Sequence, residues 1–362
     1  MLFEKMGVLK SKKGGNTMKS LGRAVRTFWV GLFVLAFFAS TVHAFTTPTF
    51  KIAPKGNKKI RIGVMDPLAS FELAALFNRL HMEAAKSRGW DLQYFDLKDN
   101  YPESVNYMEN MISAGYDAII IHFVGLKVCD KQIKKAFDMG IPVITVCAQG
   151  AKFPGVVAEI GPMDAALSAT VAEYVASRIG PGEKLLTYHI PLLDIHALRF
   201  NVAKAVFQAY NRQIAHEFYY SLTGDNMQWG YDQAKNALLG DTKKEIKGVW
   251  SAWEGFGISA ARAARDMGRD DIIVATMDDS PNTYTELARL PALQAISGFA
   301  CMSKDMNNQI FSLLEKIFKG EPIPSQKAYP YPPRLVTKEN MPPKGYFANP
   351  CGYNGPPDFV VK

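Results

Sequence analysis

The segment GYDAIII at residues 115–121 carries an unbroken apolar run directly after a helix pattern that ends at Gly115. A continuous apolar strand is typical of a parallel sheet covered by helices on both faces, because neither side of such a strand meets water. The segments before and after it alternate between short apolar runs and stretches with helical spacing. This alternation predicts repeated βα units.

Two successive runs of βα units extend on either side of this strand. Strands are predicted at 60–65, 92–95, 117–121, 142–147, 156–160, 184–189, 217–222, 248–252, 271–277 and 293–299. Helices are predicted at 71–88, 102–114, 132–139, 165–179, 197–209, 231–239, 257–267 and 306–318. Two runs of this length predict an α/β protein with two doubly wound parallel-sheet lobes. Beyond Glu321 the chain is rich in Pro, Gly and Tyr, which predicts an irregular surface tail.

The first 44 residues have the pattern of a secretory signal. Lys19, Arg23 and Arg26 precede an apolar run at 28–39, and small residues lead to Ala44. We therefore expect export, with cleavage near Ala44. The alternative is a retained membrane anchor, although the apolar run is short for a bilayer-spanning helix. Either Met1 or Met18 could be the start residue.

The basic character of the chain is concentrated in this segment. The whole chain has 42 Lys and Arg and 34 Asp and Glu, and seven of the basic residues but only one acid lie in the first 44 positions. The remainder is therefore close to neutral, with a net charge of about +2. A nucleic-acid partner would need a basic face on the folded domain, so we expect none.

The four cysteines lack the close spacing of a zinc site, and we expect no metal and no cofactor. An exported chain favours disulfides. Three pairings are possible. The favoured one joins Cys129 to Cys147 and Cys301 to Cys351, and free buried thiols are the alternative.

Four motifs together resemble a known family. They are AAKSRGWDL at 84–92, GYDAIII at 115–121, GIPVITV at 140–146 and IIVATMDDSP at 272–281. In this order and spacing they resemble the type I periplasmic binding proteins of the ribose-binding class, over roughly residues 59–334. LacI-type repressors carry a similar domain, but the segment before the first strand here resembles a signal peptide and not a helix-turn-helix.

The resemblance implies two lobes joined by a hinge of three chain crossings, with a ligand cleft between them. The crossings are expected near 160–162, near 300–302 and near Ser325. The implied organisation is a signal peptide at 1–44, an N-terminal lobe at 59–160 plus 302–324, a C-terminal lobe at 161–301 plus 325–340, and a tail at 341–362.

In the N-terminal lobe the resemblance places Ser70 and Phe71 at the cleft. Phe71 would stack on a ligand face, or it is simply the first buried residue of its helix. The family carries an Asp-Arg pair after its fourth strand, where this chain has Cys147, Ala148 and Gln149. Gln149 remains as a single amide donor and acceptor, which argues against ribose itself.

In the C-terminal lobe the resemblance implies a site formed by Arg199, Trp229, Trp253, Glu254 and Asp278. Asp278 ends a strand where the family has an aspartate that binds ligand hydroxyls; its alternative role is to cap the helix after Pro281. Core packing is the alternative for both tryptophans, and an exposed surface position is the alternative for Arg199.

The resemblance implies a monomeric periplasmic solute-binding protein that closes on a sugar or another small polar or cyclic solute and delivers it to the membrane permease of an ABC importer. The alternative is a ligand-binding partner of a periplasmic receptor or histidine kinase. Catalysis is not expected, because the sequence has no nucleophile elbow, phosphate-binding loop or metal-spaced cluster.

Overall fold

The computed structural model describes residues 49–67, 71–222, 224–347 and Cys351. The predicted signal segment and its cleavage position lie outside the described residues, as does Ser70. None of the described helices is long and apolar enough to cross a membrane.

The described chain alternates strands and helices over most of its length. The strands are β1 (Thr49–Phe50), β2 (Arg61–Asp66), β3 (Asp91–Asp96), β4 (Ala118–His122), β5 (Val143–Val146), β6 (Val156–Pro162), β7 (Lys184–His189), β8 (Gln213–Tyr219), β9 (Ile246–Ser251), β10 (Ile273–Met277), β11 (Leu293–Gly298), β12 (Ile323–Pro324), β13 (Lys327–Tyr331) and β14 (Arg334–Thr337). The helices are α1 (Glu72–Ser87), α2 (Ser104–Ser113), α3 (Asp130–Asp138), α4 (Asp164–Ala176), α5 (Asp194–Ala209), α6 (Asn226–Gly240), α7 (Glu254–Asp266), α8 (Pro281–Arg289) and α9 (Ser303–Phe318).

These elements form two α/β lobes, each built on a six-stranded sheet. The N-terminal lobe has the strand order β13-β6-β5-β4-β2-β3, and the C-terminal lobe has the order β14-β11-β10-β9-β7-β8. All ladders in the two sheets are parallel except that of β14 with β11. The central strands of each sheet are buried on both faces, because alternate residues such as Ile119 and Ile120 in one sheet, or Val249 and Trp250 in the other, belong to two different apolar clusters.

The chain crosses between the lobes at three places. It leaves the N-terminal sheet after β6, and it returns from the C-terminal sheet through the short turn at Ala300–Met302. The expected third crossing near Ser325 is wrong, because β13 pairs in parallel with β6 of the N-terminal lobe. The chain enters the C-terminal sheet only at β14, so residues 325–331 belong to the first lobe and the crossing lies at 332–333.

The segment after Glu321 is more regular than its composition predicts. β13 contains Pro330 and nevertheless pairs with β6, and β14 pairs with β11. Both are edge strands of their sheets, where a residue without a backbone N–H is tolerated because one side of the strand has no partner. The local composition predicts a loop here, but the open sheet edges provide a template for two strands.

The cysteines form one of the two favoured pairs. Cys301, in the second crossing, is bonded to Cys351 across 50 positions of sequence. The expected bridge between Cys129 and Cys147 is wrong, since both are buried free thiols. Cys129 lies in the apolar cluster on one face of the N-terminal sheet and Cys147 in the cluster on the other face, so the sheet separates them.

Candidate functional site

A cavity lies between the two lobes, at the carboxyl ends of strands from both sheets. Its lining comes from segments that follow β2, β3 and β4 in one lobe and β7, β8, β9 and β10 in the other. The lining residues are Phe71, Leu73, Ala74, Asp99, Tyr101, Phe123, Ile190, Leu193, Ile195, His196, Tyr220, Leu222, Asn226, Trp253, Glu254 and Asp278. Open α/β sheets bind their ligands at this edge, where the loops converge.

Arg199 holds together the charged side chains at the bottom of this cavity. It lies on α5 with its side chain fully buried, and its Nη1 and Nη2 donate to the two carboxylate oxygens of Asp278 at 2.9 and 3.0 Å. Its Nε donates to Asp164 Oδ1 at 2.9 Å, and Nη1 also donates to the Ala252 carbonyl at 2.8 Å. The pKa of Arg199 is raised by the charges of Asp278 and Asp164, although its burial acts in the opposite direction. Arg199 therefore fixes Asp278 and does not itself line the cavity.

Asp278 has a backbone conformation that favours this arrangement. Its φ is +66°, which is uncommon for a residue with a side chain. Its backbone N–H donates to the Ser297 carbonyl. Asp278 thus directly follows β10, and its carboxylate faces both Arg199 and the cavity. The predicted alternative, an N-cap of α8, is taken by Ser280, whose side chain accepts from the Thr283 N–H.

Gln149 connects the N-terminal lobe to these charged side chains. Its side-chain nitrogen donates to Asp164 Oδ2 at 2.6 Å, so it reaches the cleft network through Asp164 and is not part of the cavity lining. Its turn is held by Glu159, which accepts hydrogen bonds from the backbone of Ala148 and Gly150. Burial is the main reason that the pKa of Glu159 is raised to about 7.

Aromatic rings from both lobes meet across the cavity. Phe71 and Trp253 are in edge contact, with ring centroids 5.1 Å apart. The ring of Trp253 lies over Gly255, where an added Cβ would come within 2.3 Å of ring atoms. Phe71 and Trp253 therefore provide flat apolar surface from opposite lobes, which suits the face of a ring or a polyol chain.

Trp229 has a different environment from the one that the resemblance implies. It does not belong to the cavity lining, and its ring packs against Tyr188, Tyr220 and Phe256 in the C-terminal core. Tyr220 stands between this cluster and the cavity. The core-packing alternative therefore describes Trp229, which contacts the lining residue Tyr220.

Glu254 is the first residue of α7 and lines the cavity beside Trp253. Its Oε2 is buried and has no hydrogen-bond partner among the described residues. Burial raises the pKa of this carboxyl well above its usual value, and the charge of Asp278 adds to the effect.

Several lining residues have no clear signal in the sequence. Tyr101 lies between β3 and α2, Phe123 directly follows β4, and His196 lies in the first turn of α5. Each of them lies in a segment that follows the end of a strand, and this position is the signal that could have identified it. Many other residues of such segments point away from the cavity, however. His196 accepts from the Ile190 N–H through Nδ1, so its ring proton lies on Nε2.

The lobes also contact each other outside the cavity. Lys152 of the first lobe pairs with Asp194 of the second at 2.7 Å. Glu72 Oε2 accepts from the Asn282 N–H at 2.9 Å. At Gly125 an added Cβ would lie 2.6 Å from the Leu192 carbonyl oxygen, so only glycine permits this approach. The two lobes thus touch each other at several points beside the cavity. Within the described residues no cluster of His, Cys, Asp or Glu could hold a metal ion.

Comparison with known proteins gives consistent matches. A family model described as a periplasmic binding protein domain matches residues 75–315. A xylitol-binding protein of Mycolicibacterium smegmatis is 21% identical over 266 residues, which is 71% of each chain. The ribose import binding protein of Escherichia coli is 22% identical over 260 residues, 70% of this chain and 83% of its own.

Solved structures share the fold. A 5-methylthioribose transporter solute-binding protein from Thermotoga lettingae superposes with a TM-score of 0.71 at 18% identity, covering 85% of this chain and 97% of its own. These relatives and this structural neighbour are all described as binding proteins.

Proposed function

The chain belongs to the periplasmic binding protein domain family, and we propose that it is an exported solute-binding protein that delivers an uncharged sugar or polyol to an ABC importer. The observation that carries this proposal is the cavity between the lobes, with an aromatic ring from each lobe beside the carboxylate of Asp278. Aromatic faces bind the C–H surface of a sugar, while an ionised carboxylate accepts hydrogen bonds from its hydroxyls.

The ligand would bind by bridging both lobes. Phe71 and Tyr101 come from the first lobe, and Trp253 and Asp278 from the second. A solute that contacts all four gains contacts only when the lobes are together, so it shifts the population toward the closed form. The closed form would then be recognised by the permease.

The direct test is isothermal titration calorimetry of the chain from Phe45 onward with xylitol, ribose, 5-methylthioribose and myo-inositol. We expect saturable binding of at least one of them. Absence of binding throughout this panel, in protein that unfolds cooperatively, would contradict the proposed ligand class.

Trp253→Ala tests the position of the site. Truncation of a buried aromatic anchor commonly costs about 2 kcal/mol or more, so we expect a loss of affinity of about thirtyfold. Trp90→Phe is the matched control, because Trp90 packs on Phe311 and Phe318 in the N-terminal lobe and does not line the cavity. Equal affinity of wild type and Trp253→Ala would place the ligand elsewhere.

A further inference from the structure

The base of the cavity contains more carboxyl groups than it has positive charge to balance. Asp164 and Asp278 both accept hydrogen bonds from Arg199, which is fully buried. Its remaining described bond goes to the Ala252 carbonyl. One guanidinium therefore already serves two carboxylates, and none of its hydrogen bonds goes to the third acid, Glu254.

Glu254 would be costly to ionise in this environment. It is 8% exposed, its Oε2 has no described hydrogen-bond partner, and Asp278 stands close enough to act on its charge. Its own backbone N–H and the charge of Arg199 favour the ionised form, but the desolvation cost of burial and the charges of Asp278 and Asp279 outweigh them. The raised pKa of Glu254 agrees with this account.

We propose that Glu254 is an uncharged carboxylic acid whose hydroxyl donates a hydrogen bond to a ligand oxygen, and that it selects uncharged, oxygen-rich solutes over charged ones. This inference rests on the proposed function, because it assigns a role to Glu254 within the same cavity. It states that Glu254 is the donor of this hydrogen bond, and the family resemblance does not imply which partner donates.

Two other residues of the cavity lining also have hydrogen-bond donors available. The Tyr101 hydroxyl is buried and has no partner among the described residues. His196 carries its proton on Nε2, because Nδ1 accepts from the Ile190 N–H, and burial keeps the pKa of this ring well below its usual value. Tyr101, His196 and Glu254 thus offer hydrogen-bond donors, and Asp278 offers an acceptor.

A polyol matches this set, since each of its hydroxyls both donates and accepts. A quaternary ammonium ion offers no acceptor and would leave the donors unpaired. A carboxylate ligand would place a second negative charge beside Asp278. The donor groups of the cavity therefore favour an uncharged solute with several oxygens.

The test compares Glu254→Gln with Glu254→Ala by calorimetry, with xylitol and ribose as uncharged probes and choline as the cationic probe. Gln retains a donor of similar shape, so we expect the uncharged probe that binds wild type to bind this variant within about threefold. Ala removes the donor and leaves a ligand oxygen unpaired, which predicts a loss of about tenfold or more. Glu217→Gln, on β8 outside the cavity lining, is the control and should not change affinity.

Equal loss in Glu254→Gln and Glu254→Ala would overturn the inference, because the amide donor of Gln would then fail to replace the proposed hydroxyl donor. Preference for choline over both uncharged probes would also overturn it. Thermal unfolding of each variant shows whether it is folded, and Glu254→Met replaces Glu254→Ala if the smaller side chain prevents folding.

Infrared spectroscopy separates this inference from the proposed function without any ligand. A protonated carboxylic acid has a C=O stretching band that a carboxylate lacks. We expect such a band in wild type at pH 7, and the wild-type minus Glu254→Gln difference spectrum should contain it. If no probe binds but the band is present, the ligand class fails and the protonated acid stands. If the difference spectrum lacks the band, the inference is wrong whatever the probes do.

Discussion

Arg199 shows how one buried side chain can position two carboxylates. Its guanidinium fits two carboxylates in the fork geometry that arginine provides and lysine does not. It is fully buried, whereas the sequence allowed a surface position as the alternative. The resemblance implied a direct grip on the ligand, but the structure places Arg199 behind Asp278, which it holds in position.

Arg199→Met is therefore expected to destabilise the fold strongly. It leaves Asp164 and Asp278 buried without their cation, and breaking a buried pair in this way costs about 3–5 kcal/mol. Urea unfolding measures the change. Lys134→Met is the control, because Lys134 and Asp138 form an ion pair in which both side chains are exposed, and a surface pair contributes about 0–1 kcal/mol. Similar losses in both variants would contradict this role for Arg199.

At the scale of single elements, α8 begins with a complete capping box. The Ser280 side chain accepts from the Thr283 N–H, and the Thr283 hydroxyl accepts from the Ser280 N–H. Pro281 occupies the first helical position, where its missing N–H costs nothing. Because Ser280 caps the helix, the carboxylate of Asp278 is available for Arg199 and the cavity.

Ser280→Ala should lower the free energy of unfolding by about 1 kcal/mol, the usual cost of a lost N-cap. Ser280→Asp keeps an accepting oxygen and should recover most of this loss. Ligand affinity should change little in either variant, since Ser280 does not line the cavity. An Ala variant as stable as wild type would show that the cap contributes nothing.

Glu159 holds the turn after β5, and we expect this carboxyl to make the stability of the protein depend on pH. This carboxyl accepts from the Thr145 hydroxyl and from the backbone of Ala148 and Gly150, and burial is the main cause that raises its pKa to about 7. A carboxyl with a raised folded-state pKa contributes stability that is fully present below its unfolded pKa, near 4.5, and is lost as the pH rises through 7.

As the pH rises from 4.5 to 8, the titration of Glu159 should therefore lower the free energy of unfolding of wild type by about 3 kcal/mol. The Glu159→Gln variant lacks the titration, so its stability should fall less over the same range. Urea unfolding of both proteins at pH 5 and pH 8 measures the difference. Parallel pH dependence of the two proteins would contradict the raised pKa.

At the scale of the whole molecule, two lobes are joined by a hinge of three crossings, each of which is held by specific bonds. Met163 of the first crossing donates its N–H to the Tyr331 carbonyl beside the third. Asp279 accepts from the N–H groups of Phe299 and Ala300 at the second crossing. The disulfide at Cys301 adds a covalent link between this crossing and the tail.

Reduction of this disulfide should lower the thermal midpoint. A cross-link that closes a loop of about 50 residues removes entropy from the unfolded chain, and native disulfides typically contribute about 2–4 kcal/mol. The Cys301→Ser/Cys351→Ser double variant should match the reduced wild type and no longer respond to reductant. A further shift of the double variant with reductant would assign the effect to Cys129 or Cys147.

The sequence by itself determined the order of βα units and the two lobes, because the period of apolar residues is set locally along each segment. The resemblance to the binding-protein family, and not the apolar period, placed Phe71, Trp253, Glu254 and Asp278 at a cleft between the lobes. The structure brings these four to one cavity.

Only the tertiary structure decided which neighbouring side chains face the cavity. Tyr220 lines it while Trp229 packs behind, and Cys129 and Cys147 lie on opposite faces of one sheet. The third crossing falls after β13 because that strand finds an open edge on a sheet far away in sequence. These outcomes depend on contacts between segments that are distant in sequence, and no local pattern of apolar residues encodes such contacts. They also depend on the direction in which a single side chain points, and a position at the end of a strand does not determine that direction.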